Sequence, residues 1–287
     1  MSKYVRISGK RHKRIKARFA TVIYTLFGAY VTPRGGEVHV GSLIELVRAL
    51  GFSENAIRLG LSRMSRYGAF KVRRRGRRSY YSLSRKGMEW MELGRVRAFE
   101  VAHKKWDGKW RLVVYNIPET FRVLRGEIRT NLQSLGFASL SASVWISPHD
   151  FRSEIVNFVK ERNMTACVEI FEAEYKGLLR ARTFAATVWD IDGLQKSYLI
   201  FVDRYRSLRS KFERLARTSS PMDPAECFAE RFCMTAEYVA LRLGDPMLPL
   251  ELLPAEWAGL RAHSLHDTMW DLLKPAADSF IDSVLRK

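Results

Sequence analysis

Cysteine is scarce: Cys167, Cys227 and Cys233 are the only three in 287 residues. The odd number, at spacings unlike those of a zinc site, excludes a disulfide scaffold, and a chain of this length buries enough core to need no staples. Three reduced thiols are expected. Long apolar runs are also missing, and none approaches the ~20 residues that span a bilayer. The basic N-terminus leads into FATVIYTLFGAYV, a run that is periodic and lacks a cleavage site. A soluble, cytoplasmic protein without membrane contact is expected. The chain has no Gly-rich phosphate loop, no nucleophile elbow and no kinase-like motif. The reading is of a non-enzyme that needs no cofactor.

The first third is poor in acid. Up to Arg111 it holds 27 Lys and Arg against 7 Asp and Glu; from Leu112 onward the numbers are 22 and 23. The net charge of +19 therefore belongs to one module, which points to a polyanionic partner, while the remainder is near neutral.

In that module, Phe19, Val22, Ile23, Leu26, Phe27 and Tyr30 recur on one helical face. Pro33 and the Gly35–Gly36 pair end the helix, and Val38 and Val40 alternate as a short strand. Ser42 is placed to cap a helix through Leu50; Gly51 closes it and Ser53 caps the next. The second helix, about Glu54 to Tyr67, turns Ile57, Leu61 and Met64 to one side. Its other side presents Asn55, Arg58, Leu59, Ser62, Arg63 and Arg66. Such a face suits a major groove, where Arg pairs with guanine edges, Asn with adenine, and Ser with base or phosphate. Standing alone it is also the face of any solvated helix.

The adjoining segment separates these two possibilities. KVRRRGRRSYYSL, Lys71 to Leu83, reads as a hairpin turning at Gly76, with Val72, Tyr80, Tyr81 and Leu83 seating its strands. Arg74, Arg75, Arg77 and Arg78 crowd its tip, placed to reach a neighbouring groove or phosphates. Ser84 caps a further helix through Met88, Trp90, Met91 and Leu93. This order is a winged helix-turn-helix.

Trp110 to Phe184 reads as strands and helices in a βαββαβ-type, ferredoxin-like order, with ASLSASVWIS (138–147) as one strand. From Ala185 the pattern is helical. The fold class is thus α+β in four segments: a basic arm (1–18), the winged helix-turn-helix (19–100), the ferredoxin-like domain (106–184) and a helical C-terminal domain (185–287). His263, His266 and Asp267 lie at i, i+3 and i+4 and could meet a metal on one helix face. No companion motif such as HExxH accompanies them, so they read as a surface or helix-packing pair.

FGAYVTPRGGEVHVGSLIELVRALGFSENAIRLGLSRM with the GRRSYYSLSRKG hairpin closely resembles the N-terminal domain of the PaaX family. The resemblance continues through WDGKWRLVVYNIPE, GFASLSASVWISP, WDIDGLQKSYLIFVDRY and DPMLPLELLPAEWAG, covering nearly the whole chain in the family order. These are bacterial repressors of phenylacetate catabolism and related pathways. The resemblance implies a repressor released by an aryl-coenzyme A thioester, phenylacetyl-CoA in the founding members; the expected protein is a homodimer on double-stranded DNA, whose two-fold symmetry predicts an inverted-repeat operator. An aryl thioester needs an apolar slot and cations for phosphates; Trp145, Trp189 and Tyr198 are candidates for the first, Arg180 and Arg182 for the second. The family's central domain is similar to small CRISPR-associated nucleases that carry an aspartate at the end of their first strand. Here Asn116 occupies that place, and a neutral amide cannot supply the charge of a Mg²⁺ site. A metal-dependent nuclease built on this domain is the alternative function, and a non-specific architectural basic protein a third.

Overall fold

The computed structural model describes residues 19–100, 103–218 and 220–286. The expected basic arm, residues 1–18, lies outside the described residues. Two small antiparallel sheets and a majority of helix make the fold α+β. The chain divides into two compact units. One holds the described residues through Glu100 with Tyr198–Leu243 and the chain from Ala258; the other holds the described residues through Ser197 with Gly244–Trp257.

In the first unit, α1 (Phe19–Leu26) continues directly into a π-helical turn, Phe27–Val31. The apolar series of the sequence runs through both, so Val22, Ile23, Leu26, Phe27 and Tyr30 are all fully buried. Val22, Ile23, Leu26 and Phe27 each contribute about 1.5–3 kcal/mol by leaving water. β1 (Glu37–His39) is followed at once by α2 (Val40–Ala49). Val40 is thus the first helical residue, not a strand residue, and Ser42 is buried inside the helix. The cap position falls to His39, whose side chain makes no capping bond. Alternation over three residues is too short a signal to locate that boundary.

Ser53 does cap α3 (Glu54–Arg66), its hydroxyl accepting from the Ala56 N–H at 3.3 Å. β2 (Phe70–Arg75) and β3 (Arg78–Leu83) form a hairpin, and β1 pairs with the free edge of β3. Gly76 takes φ 56° at the first of two central positions, the conformation that a type II′ turn demands and that glycine adopts without strain. α4 (Arg85–Arg95) opens on Ser84, which accepts from the Gly87 N–H at 3.0 Å, and runs into a second π-helical turn, Val96–Glu100.

The same unit takes in the later helices α9 (Pro224–Gly244) and α10 (Ala258–Leu285). The Tyr30 ring packs against Phe228 and Phe232 of α9 and Trp270 of α10. Arg231, 2% exposed, lays its guanidinium 3.4 Å over Trp270 and donates from Nε to the Trp270 carbonyl at 3.0 Å. Arg34 bonds Asp282 at 2.7 Å and Asp278 at 3.2 Å. A buried arginine stacked and bonded in this way fixes the register of three helices at once.

The second unit is a four-stranded sheet of order β5-β6-β4-β7, from β4 (Trp110–Tyr115), β5 (Ala138–Ser141), β6 (Val144–Ser147) and β7 (Val168–Ala173). α5 (Arg122–Ser134) follows β4 and α6 (Arg152–Glu161) follows β6. Val113, Ile128, Leu132, Trp145, Ile155 and Val159 form its core. The single strand expected over 138–147 is two strands: the chain reverses at Ala142–Ser143, where the Tyr115 hydroxyl donates to the Ala142 carbonyl at 2.9 Å. The small polar residues around the turn carry no Gly or Pro to announce it. α7 (Ala181–Val188) and α8 (Ile191–Arg217) lead out of this sheet. Among the described residues no helix is long and apolar enough to cross a membrane.

Candidate nucleic-acid interface

Ile57, Leu61 and Met64 turn one side of α3 into the core, so the other side faces solvent by the geometry of the helix. Asn55, Arg58, Ser62, Arg63 and Arg66 are all exposed on it, and Leu59 lies among them at 54% exposure. Gly60 permits the close seating of this helix: a Cβ there would stand 2.2 Å from the Phe19 ring of α1.

Pairing register sorts the hairpin side chains into two faces. Phe70 opposite Leu83 and Val72 opposite Tyr81 share one face, and Phe70 is buried against Phe27 and Tyr81. Val72 itself is 46% exposed, so Phe70, at the very start of β2, seats the hairpin in its place. On the other face Arg73 lies opposite Tyr80 and Arg75 opposite Arg78. Arg74, Arg75, Arg77 and Arg78 are all exposed, and the Arg75 guanidinium sits 5.5 Å from the Tyr80 ring centroid.

The charges are not all free. Arg58 donates to Glu54 on its own helix at 2.7 and 2.9 Å. Arg73 bonds Glu37 of β1 through both Nε and Nη2, holding the Glu37 carboxyl below its ordinary range. Among the described residues, Arg63, Arg66, Arg74, Arg77 and Arg78 have no carboxylate within ion-pair distance. A run of unpaired guanidiniums on one helix face and one hairpin tip is a surface that gains by meeting phosphates.

The remaining candidate residues are spread over both units. Trp145 is buried in the core of the second unit, and Trp189 stacks on Trp110 at 6.0 Å with its indole N–H donating to the Gly136 carbonyl at 3.2 Å. Arg180 is exposed at the N-cap of α7, and Arg182 donates to the Glu251 carbonyl at 3.3 Å. Tyr198 is fully buried and belongs to the first unit. Asn116 is exposed just beyond β4, its backbone N–H bonded to the Cys167 carbonyl. His263, His266 and Asp267 share one side of α10. The His266 ring is stacked between Tyr238 and Trp270, with Nε2 3.2 Å from the Thr235 hydroxyl and Nδ1 3.0 Å from Asp267; burial lowers its pKa. His263 Nδ1 lies 3.0 Å from the Tyr238 hydroxyl. Gly60, which seats α3 against Phe19, carries no local signal in the sequence, because its neighbour lies 41 positions earlier in the chain.

The chain matches the PaaX-like protein family over residues 18–87, the PaaX protein central Cas2-like domain over 103–185 and the PaaX-like protein C-terminal domain over 189–283. It is 30% identical over 264 residues to the Escherichia coli transcriptional repressor PaaX, covering 91% of this chain and 82% of that protein. A solved structure, the uncharacterized protein Rv0674 from Mycobacterium tuberculosis, has a similar fold with a TM-score of 0.59 at 22% identity, covering 92% of this chain and 97% of that one. The three linked matches and the curated relative agree, and the chain belongs to the PaaX family.

Proposed function

We propose that this protein is a transcriptional repressor of an aromatic-compound catabolic operon, phenylacetate catabolism being the pathway its family points to. The observation that carries the reading is the arginine-rich surface of α3 and the β2–β3 hairpin. The element order through α4 supports a winged helix-turn-helix, with α3 as the recognition helix and the hairpin as the wing. The order β5-β6-β4-β7 with α5 and α6 supports a ferredoxin-like central domain.

In this reading α3 enters a major groove, where Asn55, Arg58, Ser62 and Arg63 meet base edges. Arg66 and the wing arginines Arg74, Arg75, Arg77 and Arg78 clamp phosphates or a minor groove. The protein acts as a homodimer on an inverted repeat whose half-sites lie one or two helical turns apart. A small-molecule effector, an aryl-CoA thioester in the family's pattern, releases it by favouring a state that fits DNA poorly. Asn116, a neutral amide, supports a regulator over a metal-dependent nuclease at the end of β4.

Footprinting on the DNA upstream of the gene tests the arrangement. Two symmetric protected half-sites are expected; a single asymmetric half-site would count against the dimer.

A further inference from the structure

Residues 1–18, outside the described residues, hold eight Lys and Arg and no Asp or Glu, with six of the eight between Lys10 and Arg18. This segment alone carries +8 of the net +19. The guanidiniums of α3 and the hairpin without an ion-pair partner among the described residues are Arg63, Arg66, Arg74, Arg77 and Arg78, so the arm holds more positive charge than that whole set. The family match begins at residue 18, and nothing in the arm is carried over from the family.

The structure fixes where this segment joins the fold. Phe19, the first residue of α1, stands edge-on to Phe52 of the turn before α3 at 5.9 Å. Its ring fills the place that a side chain at Gly60 of α3 would need. α1 therefore begins against α3, and the chain preceding it departs from that flank of the helix. Arg63, one turn beyond Gly60 and on the same flank, is exposed and has no carboxylate partner among the described residues. Eighteen residues reach at most roughly 60 Å when extended, and one helical turn of DNA spans about 34–36 Å.

Composition narrows the chemistry of the partner. Residues 1–18 contain no Asn or Gln, the side chains that read adenine edges, and divide their charge equally between four Lys and four Arg. Lys meets phosphate as a point charge, without base-reading geometry. Only Tyr4, Val5, Ile7 and Ile15 supply larger apolar groups after Met1, too few for the broad apolar face that a membrane surface takes up. A polycation tied to the flank of α3 suits the phosphates beside the groove that this helix enters.

We infer that residues 1–18 are a second DNA contact, which departs from the flank of α3 and follows the phosphates of the duplex next to the half-site. The contact adds affinity and salt dependence without sequence discrimination. For its partner it rests on the DNA-binding reading above; the charge and the Phe19 anchor stand without it.

A variant lacking residues 2–17 loses seven of the eight charges and keeps Phe19 and the packed core that follows it. K10Q/K13Q/K16Q removes three charges without shortening the chain. Both are titrated beside wild type over a salt series, with the DNA upstream of the gene and with random duplex of equal length. At about 0.9 per phosphate, the deletion is expected to lower the salt slope by at least about three units on both DNAs. It is expected to weaken both at least about tenfold at low salt, with their ratio unchanged. K10Q/K13Q/K16Q is expected to lower the slope by about one to three units. Hydroxyl-radical footprints of the deletion are expected to lose protection beyond the half-site and to keep it within. An unchanged slope in a folded deletion variant, or in K10Q/K13Q/K16Q where the deletion does not fold, overturns the inference. So does an unchanged flank in the footprint, a loss confined to upstream DNA, or tighter arm-dependent binding to phosphatidylglycerol vesicles than to random duplex. Equal affinity of wild type for the two DNAs refutes the repressor reading instead, and a slope lowered by the deletion still supports the arm contact.

Discussion

Arg58 and Glu54 face each other one turn apart on α3, with Nε and Nη2 of the arginine donating to the same carboxylate oxygen at 2.9 and 2.7 Å. Arg58, the side chain proposed to read a base, is therefore already engaged within its own helix. The pair is exposed on both sides, and such i, i+4 pairs hold only about 0.3–0.5 kcal/mol, so a guanine edge or a phosphate outcompetes it readily.

Glu54→Gln is expected to strengthen DNA binding modestly, about two- to threefold, because it frees Arg58 and removes a negative charge from the approach to phosphate. Arg58→Ala is expected to cost about 1–3 kcal/mol and to relax discrimination at one base pair. Affinity measured across single-base operator variants distinguishes the two effects.

Arg77, at the turn of the hairpin, has no such partner among the described residues. Arg77→Ala is expected to weaken operator and random DNA about equally and to lower the salt slope of binding by about one unit. Identical behaviour of Arg58→Ala and Arg77→Ala would remove the distinction between reading helix and clamping wing.

Gly87 sits where α4 crosses the foot of the hairpin, and a Cβ would stand 2.1 Å from the Ala69 carbonyl oxygen. Backbone, not a yielding side chain, is the obstacle. Gly87→Ala is expected to destabilise the first unit by about 2–3 kcal/mol, seen as a lowered melting temperature together with weakened DNA binding.

In the second unit Arg111 holds Asp107 in a two-point bond, and this pulls the Asp107 carboxyl down to about 2. A carboxyl depressed in the folded state stabilises above its unfolded value, and that contribution fades as pH falls toward 2. Asp107 is half exposed, so solvent screening limits the effect to about 1 kcal/mol. Asp107→Asn is expected to melt below wild type at pH 7, the gap closing between pH 4 and pH 2.

Features set by local chemistry are legible from the residues. Ser53 and Ser84 cap their helices as their positions imply, and Gly76 turns the hairpin. The Arg58–Glu54 pair is equally local, implied by its i, i+4 spacing, although the groove-facing pattern of the helix makes no use of it. Features that need distant partners are not legible. Arg73 meets Glu37 across 36 positions, and Tyr30 meets Phe228, Phe232 and Trp270 near the other end of the chain. Periodicity shows that Tyr30 is buried but not against what.

Sequence-specific recognition by α3 and the hairpin is the central claim. A competition titration at fixed salt tests it most directly, comparing the DNA upstream of the protein's own gene with random duplex of equal length. The account predicts tighter binding to the upstream DNA by a factor of roughly 10³ or more; equal affinity for the two would contradict it.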